Sequence, residues 1–286
     1  MQQDADSAAR ALTIAGSDSG AGAGIQADLK TFAAFGVYGT SAITAVTAQN
    51  TLGVGSMLAL PAPLVVAQID AVLSDIGAGA VKTGMLANAP IVREVAAALR
   101  AHGVEQLVVD PVMVATGGAR LLEDDAVRAL RRELLPLALV VTPNVAEAEA
   151  LTGRAISSWA EAKDAAAQIV RMGARTVVIT GGHFEKAGNA TDLFFDGAAY
   201  RDYTAVRIDS RHTHGTGCTF SAAIAAGLAK GISLRDAIAL AKSYVTLAIQ
   251  HAYPIGSGQG PVHHFYRYWQ PTGVRYRPGV AMKPRG

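Results

Sequence analysis

The only cysteine of the chain, Cys218, lies at the start of a helix-like segment, directly after His-Gly-Thr-Gly. Gly215 and Gly217 allow the backbone to bend tightly into that helix. The first amides of a helix lack partners within it and carry partial positive charge, so such a turn binds anions, most commonly phosphate. Gly215, Thr216, Gly217 and Cys218 are therefore candidates for phosphate binding, with an ordinary glycine-containing loop as the alternative. The same position predicts a lowered pKa for the Cys218 thiol, which would make it reactive.

A second candidate for chemistry is Asn144-Val-Ala-Glu147, which follows a strand-like run and opens another helix. Asn at a helix start usually caps it, and Glu three positions later completes a capping box. The functional alternative is that Asn144 and Glu147 hold, through water, a Mg²⁺ ion on nucleotide phosphates, since Mg²⁺ keeps several waters and few direct carboxylates. Asp110, at a strand end before Pro111, is a further candidate for balancing the charge of this Mg²⁺ ion and the phosphates.

Other common catalytic and binding motifs are not found. The glycine-dense loop from Gly16 to Gly24 does not follow G-x-G-x-x-G, and no Gly-Lys-Ser/Thr closes a P-loop. Adjacent residues rarely point at one ion, so we assign the pair His263-His264 to packing or to the surface. No Ser-His-Asp arrangement can be assigned.

Segments of strand and helix character alternate along the chain and would position these residues. Continuous apolar runs such as Leu107-Val109 and Leu139-Val141 suit strands buried on both faces of a parallel sheet. Asp196-Gly197 between two short runs indicates a hairpin. We predict an α/β fold with a central, mostly parallel β-sheet flanked by helices on both faces. The candidate residues follow the strands, where open parallel sheets bind ligands. The predicted strands are 11–15, 38–47, 57–60, 80–83, 106–110, 137–142 and 176–180, and the predicted helices 25–35, 64–76, 91–101, 124–134, 146–152, 160–172, 219–230 and 234–252.

Composition limits the class of protein. The 286 residues are 50% hydrophobic and 17% charged, with a net charge of +2 that suggests no nucleic-acid partner. One cysteine excludes an internal disulfide, which fits a reducing compartment. No apolar run reaches the roughly 18 residues of a membrane span, so we expect a soluble cytoplasmic protein without membrane partners. We expect one α/β domain over 11–269, a flexible leader over 1–10 and a flexible basic tail over 270–286.

Taken together, eight motifs resemble the hydroxymethylpyrimidine/phosphomethylpyrimidine kinases of thiamine biosynthesis, which belong to the ribokinase-like superfamily. Each motif alone is modest, but their order along residues 11–265 is specific. They are LTIAGSDSGAGAGIQADLKTF (12–32), TAVTAQNTLGV (44–54), KTGML (82–86), DPVMVA (110–115), TPNVAEAEALTG (142–153), GGH (181–183), HGTGC (214–218) and GPVHHF (260–265).

The resemblance implies ATP- and Mg²⁺-dependent phosphorylation of the hydroxymethyl group of an aminopyrimidine, then phosphorylation of that phosphate. It implies a homodimer and a ribokinase-like fold. In the matching motifs, the residues expected to contact the pyrimidine are Gln49, Asp28, Gly16, Met85 and Val112. Those expected on the nucleotide side are Asp110, Asn144, Glu147, Thr180 and Gly182, with Glu147 holding Mg²⁺ through water. HGTGC would supply the anion hole, and the Cys218 thiolate would accept the hydroxyl proton.

Two departures from the family pattern concern charge. Thr116 and Thr180 stand where the family usually has lysines, which leaves nucleotide affinity and the second phosphorylation open. The alternatives are a pyridoxine/pyridoxal kinase of the same superfamily and a non-catalytic ligand-binding protein with a kinase-like fold. Gln49 and Met85 favour the pyrimidine, and an intact HGTGC favours catalysis. A fusion with a second thiamine-biosynthesis domain is not expected.

Overall fold

The computed structural model describes residues 8–113, 122–181 and 188–269. Within these ranges the chain forms strands β1 (Arg10–Asp18), β2 (Tyr38–Asn50), β3 (Gly53–Ala59), β4 (Ala80–Thr83), β5 (Leu107–Val109), β6 (Val140–Val141), β7 (Thr176–Ile179), β8 (Asn189–Phe195) and β9 (Tyr200–Val206). They form one sheet in the order β3-β2-β1-β4-β5-β6-β7-β8-β9. The pairings from β2 through β1 to β7 are parallel, while β3, β8 and β9 are antiparallel to their neighbours.

Helices cover both faces of this sheet, which confirms the predicted fold class. The helices are α1 (Gly24–Ala34), α2 (Ala62–Ala71), α3 (Ala89–Ala101), α4 (Asp124–Ala129), α5 (Val145–Thr152), α6 (Trp159–Arg171), α7 (Thr216–Ala229) and α8 (Leu234–Gln250). One buried cluster packs α2 to α6 against the sheet, and a second packs α1, α7 and α8 against the other face. The central strands are buried on both sides, as their continuous apolar runs predict.

Several element boundaries differ from the predictions. Both α2 and α4 end early and continue as π-helical turns, Val72–Ile76 and Leu130–Leu134. A 3₁₀ turn over Leu135–Leu137 overlaps the start of the predicted sixth strand, and the strand itself is shortened to Val140–Val141. The third strand begins at Gly53 and forms a hairpin with β2 that the sequence does not signal, since its residues are largely exposed.

The sheet brings the carboxyl ends of β1, β4, β5, β6 and β7 to one edge, where the loops carrying the candidate residues meet. No helix in the described ranges is long and apolar enough to cross a membrane. β1 starts at Arg10, one residue before the predicted start of the domain. Residues 1–7 and 270–286, most of the predicted leader and tail, lie outside the described ranges.

Candidate active site

A cavity of about 420 Å³ opens at the carboxyl edge of the sheet. It brings together nearly all the candidate residues, although they come from segments spread over two hundred positions of sequence. The candidates that line it are Gly16, Gln49, Met85, Asp110, Val112, Asn144, Glu147, Thr180, Gly215, Thr216, Gly217 and Cys218. Gly182 and Thr116 lie outside the described residues. Thr116 is one of the two positions that depart from the family pattern. Asp28 is described but does not line the cavity.

The phosphate-binding candidate forms the first turn of α7, as predicted. Gly215 is the N-cap, with φ +79°, and a Cβ there would collide with the carbonyl oxygen of Gly22. This position therefore requires glycine for the backbone itself. Gly217 differs, because a Cβ there would meet no atom of the described residues within 4 Å beyond its chain neighbours and its own helix backbone. Gly217 lines the cavity, and no side chain forms a capping hydrogen bond at this helix start.

The thiol of Cys218 does not have the lowered pKa that the helix start predicts. Burial raises its pKa to about 12, and the nearby carboxylates of Asp110 and Asp28 add to the rise. Lys82 and a hydrogen bond from the Gly24 amide act in the opposite direction without reversing it. The thiol is therefore protonated at neutral pH, and the prediction of a reactive thiolate in the free protein is wrong.

The structure places Asp28 in an ion pair with Lys82 and not among the cavity-lining residues, and its substrate role stays a prediction. Both side chains are fully buried, and the Lys82 ammonium lies 3.0 and 2.9 Å from the two Asp28 oxygens. Thr13 donates a further hydrogen bond to Asp28. Among the described residues the cavity wall therefore includes Lys82, which is paired with Asp28, and not Asp28 itself.

Lys82 lines the cavity and is a candidate functional residue that sequence reasoning did not single out. Burial alone would lower the pKa of its ammonium, but Asp28, Cys218 and Asp110 outweigh burial and raise it. Asp110 lies 3.8 Å from this ammonium and accepts a hydrogen bond from Ser221 at 2.9 Å. The signal was a lysine in the middle of a strand otherwise expected to be buried, because a buried charge requires partners.

Glu147 and Asn144 form the capping box and line the cavity, so the two interpretations of this segment are compatible. The Glu147 carboxylate accepts from the Asn144 amide, and the Asn144 side chain accepts from the Glu147 amide, both at 2.9 Å. Burial, reinforced by Asp110, raises the pKa of Glu147 to about 8. A cation beside Asp110 and Glu147 would lower that pKa again.

The acceptor side of the cavity is organised by backbone contacts. The Gly16 amide donates to the Met85 carbonyl at 3.1 Å, and a Cβ on Gly16 would collide with the end of the Met85 side chain. Thr44 donates to the same Met85 carbonyl. Gln49 follows a bulge in β2, and Asp18 and His214 lie beside it. The result is a small apolar slot bordered by one amide side chain.

This combination suits transfer of a phosphoryl group to a small ring compound. The free amides of α7 can hold anionic oxygens, and the amide of Gln49 offers a donor and an acceptor to a heterocycle. Within the described residues no group of three or more His, Cys, Asp and Glu side chains forms a ready metal site. Two carboxylates with room for water nevertheless fit Mg²⁺, which is commonly bound through one or two carboxylates and substrate phosphates.

Comparison with known proteins agrees with this geometry. Residues 18–263 match the model of a family described as phosphomethylpyrimidine kinase. A hydroxymethylpyrimidine/phosphomethylpyrimidine kinase of Rhizobium meliloti is 57% identical over 263 residues, covering 91% of this chain and 98% of the relative.

Solved structures of two kinds are similar. The ADP complex of Bacillus subtilis pyridoxal kinase has a TM-score of 0.85 and 41% identity, covering 90% of this chain and 98% of that one. A phosphomethylpyrimidine kinase from Clostridium difficile has a TM-score of 0.75 and 42% identity, covering 84% of this chain and 99% of that one. The fold is ribokinase-like, and the relatives are small-molecule kinases.

Proposed function

Since the chain belongs to the phosphomethylpyrimidine kinase family, we propose that it is an ATP-dependent kinase of thiamine biosynthesis. It phosphorylates the hydroxymethyl group of 4-amino-5-hydroxymethyl-2-methylpyrimidine and then phosphorylates the product to the diphosphate. The observation that carries the proposal is the single cavity that joins the open amides of α7 to the Gln49 slot. One region is suited to transferring phosphate and the other to holding an aminopyrimidine.

The acceptor ring would occupy the slot between Gly16, Met85 and Val112. Gln49 would pair with the aminopyrimidine edge, because its amide offers one donor and one acceptor side by side. A ring held there has its substituents directed into a cavity that also reaches Cys218 and Lys82. Orientation of this kind is the main requirement of phosphoryl transfer, in which the protein contributes chiefly positioning and charge stabilisation.

The transferred phosphoryl group would lie against the amides of Gly217 and Cys218, since the Thr216 amide already donates to the Thr213 carbonyl at 3.2 Å. The uncapped helix start provides fixed donors without reorganisation during the reaction. The buried ammonium of Lys82 adds positive charge on the side of the acceptor. A protonated Cys218 suits a role in shaping this part of the cavity rather than removing the hydroxyl proton before transfer. In the second phosphorylation the acceptor is already an anion and needs no base.

ATP would approach from the side of Thr180, Asn144 and Glu147. Asp110 and Glu147 would hold Mg²⁺ largely through water, and the bound ion would neutralise charge on the phosphates. The raised pKa of Glu147 supports this assignment, because burial and the neighbouring Asp110 disfavour its charged form, which a bound cation would favour. Thr180 supplies no charge, so the helix amides, Lys82 and the metal carry the electrostatic stabilisation.

A pyridoxal kinase is the second candidate function, and the likeness to the Bacillus subtilis pyridoxal kinase structure favours it specifically. A pyridine alcohol could use the same amides of α7. The Gln49 amide favours the pyrimidine, because an aminopyrimidine edge satisfies its donor and acceptor together.

The protein is proposed to act as a homodimer through the β2–β3 hairpin. This hairpin is at the edge of the sheet and exposes apolar side chains, including Leu52 at 71% and Leu58 at 69%. Large apolar groups in such numbers on an edge strand favour association with another copy. Light scattering should give twice the mass of the chain, and Leu58→Lys should reduce it to the monomer mass.

Steady-state ADP release with three acceptors tests the proposed function. Hydroxymethylpyrimidine and its monophosphate should both support turnover with Mg-ATP, and with higher kcat/KM than pyridoxal. Gln49→Ala should raise the Kd for the pyrimidine by about tenfold, as for a lost buried hydrogen bond, and leave the Kd for ATP unchanged. Turnover with pyridoxal alone would assign the protein to the second function, and no turnover with any acceptor would refute both.

A further inference from the structure

The hydrogen-bond partners of Gln49 limit how its side-chain amide can be oriented. We propose that Asp18, His214 and Thr47 lock this amide with its oxygen toward His214 and its nitrogen toward Thr47, and thereby select the acceptor ring by its donor and acceptor pattern. The inference rests on the proposed function, because it takes Gln49 to be the group that pairs with the ring. It concerns residues that position Gln49.

At one end of the lock, Asp18 determines which atom His214 presents. The Asp18 carboxylate is 2% exposed and accepts from the amides of Gly20, Gly22 and Ala23 at 2.8 to 3.0 Å. A carboxylate in this setting can only accept, so His214 Nε2, 3.1 Å from Asp18 Oδ2, must carry a hydrogen. Although burial raises the pKa of Asp18, these hydrogen bonds lower it overall, which agrees with an ionised acceptor.

At the other end, the hydroxyl of Thr47 is committed as a donor. Its Oγ1 lies 2.8 Å from the carbonyl oxygen of Ser17, which can only accept. The single hydroxyl hydrogen of Thr47 therefore belongs to that bond. Toward any other neighbour Thr47 can only accept.

The amide of Gln49 lies between these two ends. One of its terminal atoms is 3.3 Å from Thr47 Oγ1 and the other is 3.4 Å from His214 Nε2. The oxygen and the nitrogen of a side-chain amide are nearly the same size. Which of the two positions holds the oxygen is therefore assigned from the hydrogen-bond partners. In the structure the Gln49 nitrogen, a donor, faces the N–H of His214, which is also a donor. The Gln49 oxygen, an acceptor, faces Thr47 Oγ1, which can only accept here. In the reversed amide the nitrogen donates to Thr47, and the oxygen shares the Nε2 hydrogen of His214 with the Asp18 carboxylate as the longer branch of a three-centre bond.

Hydrogen bonds also hold the backbone of Gln49 in place, so the whole residue cannot move away from Thr47 and His214. The Ser19 hydroxyl donates to the Gln49 carbonyl and accepts from the Gln49 amide, both at 2.7 Å. A locked amide presents one fixed order of acceptor and donor to the cavity. A ring nitrogen beside an amino group matches that order, whereas a ring N–H beside a carbonyl oxygen reverses it.

Binding of two closely related compounds to the protein without nucleotide tests the lock. The first is the aminopyrimidine, and the second is its 4-oxo analogue, which carries oxygen in place of the amine and hydrogen on the adjacent ring nitrogen. Wild type should bind the aminopyrimidine at least about 100-fold more tightly by calorimetry, because the analogue leaves buried polar groups mismatched.

Thr47→Val and Thr47→Ser form the matched pair of variants. Valine removes the oxygen that fixes the amide nitrogen, so the preference should fall by about tenfold, whereas serine should preserve it. His214→Leu and His214→Gln repeat the comparison at the other end, which keeps the test valid if one variant fails to fold. Near-equal binding of both compounds by wild type, or equal preferences in the valine and serine variants, would overturn the lock while leaving the kinase function intact. Binding of neither compound would refute the proposed function and the lock together.

Discussion

The two glycines at the start of α7 should respond in opposite ways to a methyl group. Apart from its chain neighbours and its own helix backbone, the part of the chain that the structure describes places no atom within 4 Å of a Cβ at Gly217, and the φ of Gly217 is not in the left-handed region. Glycine within a helix is less favourable than alanine by about 0.5–1 kcal/mol. Gly217→Ala should therefore keep or raise the free energy of unfolding, by up to about 1 kcal/mol. The fold provides no reason for glycine at this position.

The reason for glycine at position 217 is expected to be the ligand. The methyl group would project into the space where phosphate approaches the amides of α7, and loss of one such donor typically lowers kcat by about 100-fold or more. We predict that Gly217→Ala lowers kcat/KM by about 100-fold while urea unfolding, followed by circular dichroism, shows no loss of stability.

Gly215→Ala is the matched control for this prediction. Its φ of +79° and its collision with Gly22 should lower stability and activity together. A Gly217→Ala protein with full activity would refute the assignment of the α7 amides to phosphate. A Gly217→Ala protein as unstable as Gly215→Ala would refute the structural argument.

Three further predictions concern the charged groups of the cavity. Lys82→Met should lower the free energy of unfolding by about 3–5 kcal/mol, because it leaves the Asp28 carboxylate buried without a cation. The double variant Lys82→Met/Asp28→Asn should recover most of this loss. Equal losses of stability in the two proteins would contradict the ion pair. The pKa of Glu147 is raised in the folded protein to about 8 from an ordinary 4.5, so its contribution to stability is present below pH 4.5 and is lost as the pH rises toward 8. Without nucleotide or Mg²⁺, Glu147→Gln should be more stable than wild type at pH 9 and lose this advantage at pH 5, as unfolding at the two pH values can check. Cys218→Ser should leave the shape of the pH–rate profile between pH 6 and 9 unchanged, since the pKa of the thiol is about 12; a step near pH 7–8 that disappears in the serine variant would restore the thiolate as a base.

The order of strands and helices could be predicted because apolar runs and helical periodicity are local properties. β4 matches its predicted bounds, since Gly79 and Gly84 flank a run of only four residues. The β2–β3 hairpin could not be predicted, because Gly53-Val-Gly-Ser has neither a buried run nor clear alternation. Its form depends on pairing with β2.

The sequence predicts which residue types lie at the strand ends that form the site. It does not predict the pKa values or the ion pairs of those residues. The helix start at Cys218 correctly indicates open amides. The thiol pKa also depends on burial and on Asp28, Asp110 and Lys82, which come from distant segments and meet only in the fold. Asp28 likewise carries a role in the family pattern, but its pairing with Lys82 is visible only once α1 lies against β4.

Phosphorus NMR of the purified protein with Mg-ATP and hydroxymethylpyrimidine tests the central claim most directly. The account predicts a monophosphate ester signal that appears first and then declines as two diphosphate signals grow, with ADP formed in both steps. A monophosphate signal that persists would confine the enzyme to the first step. No phosphorylated pyrimidine at all, beside a phosphorylated pyridoxal control, would contradict the proposed function.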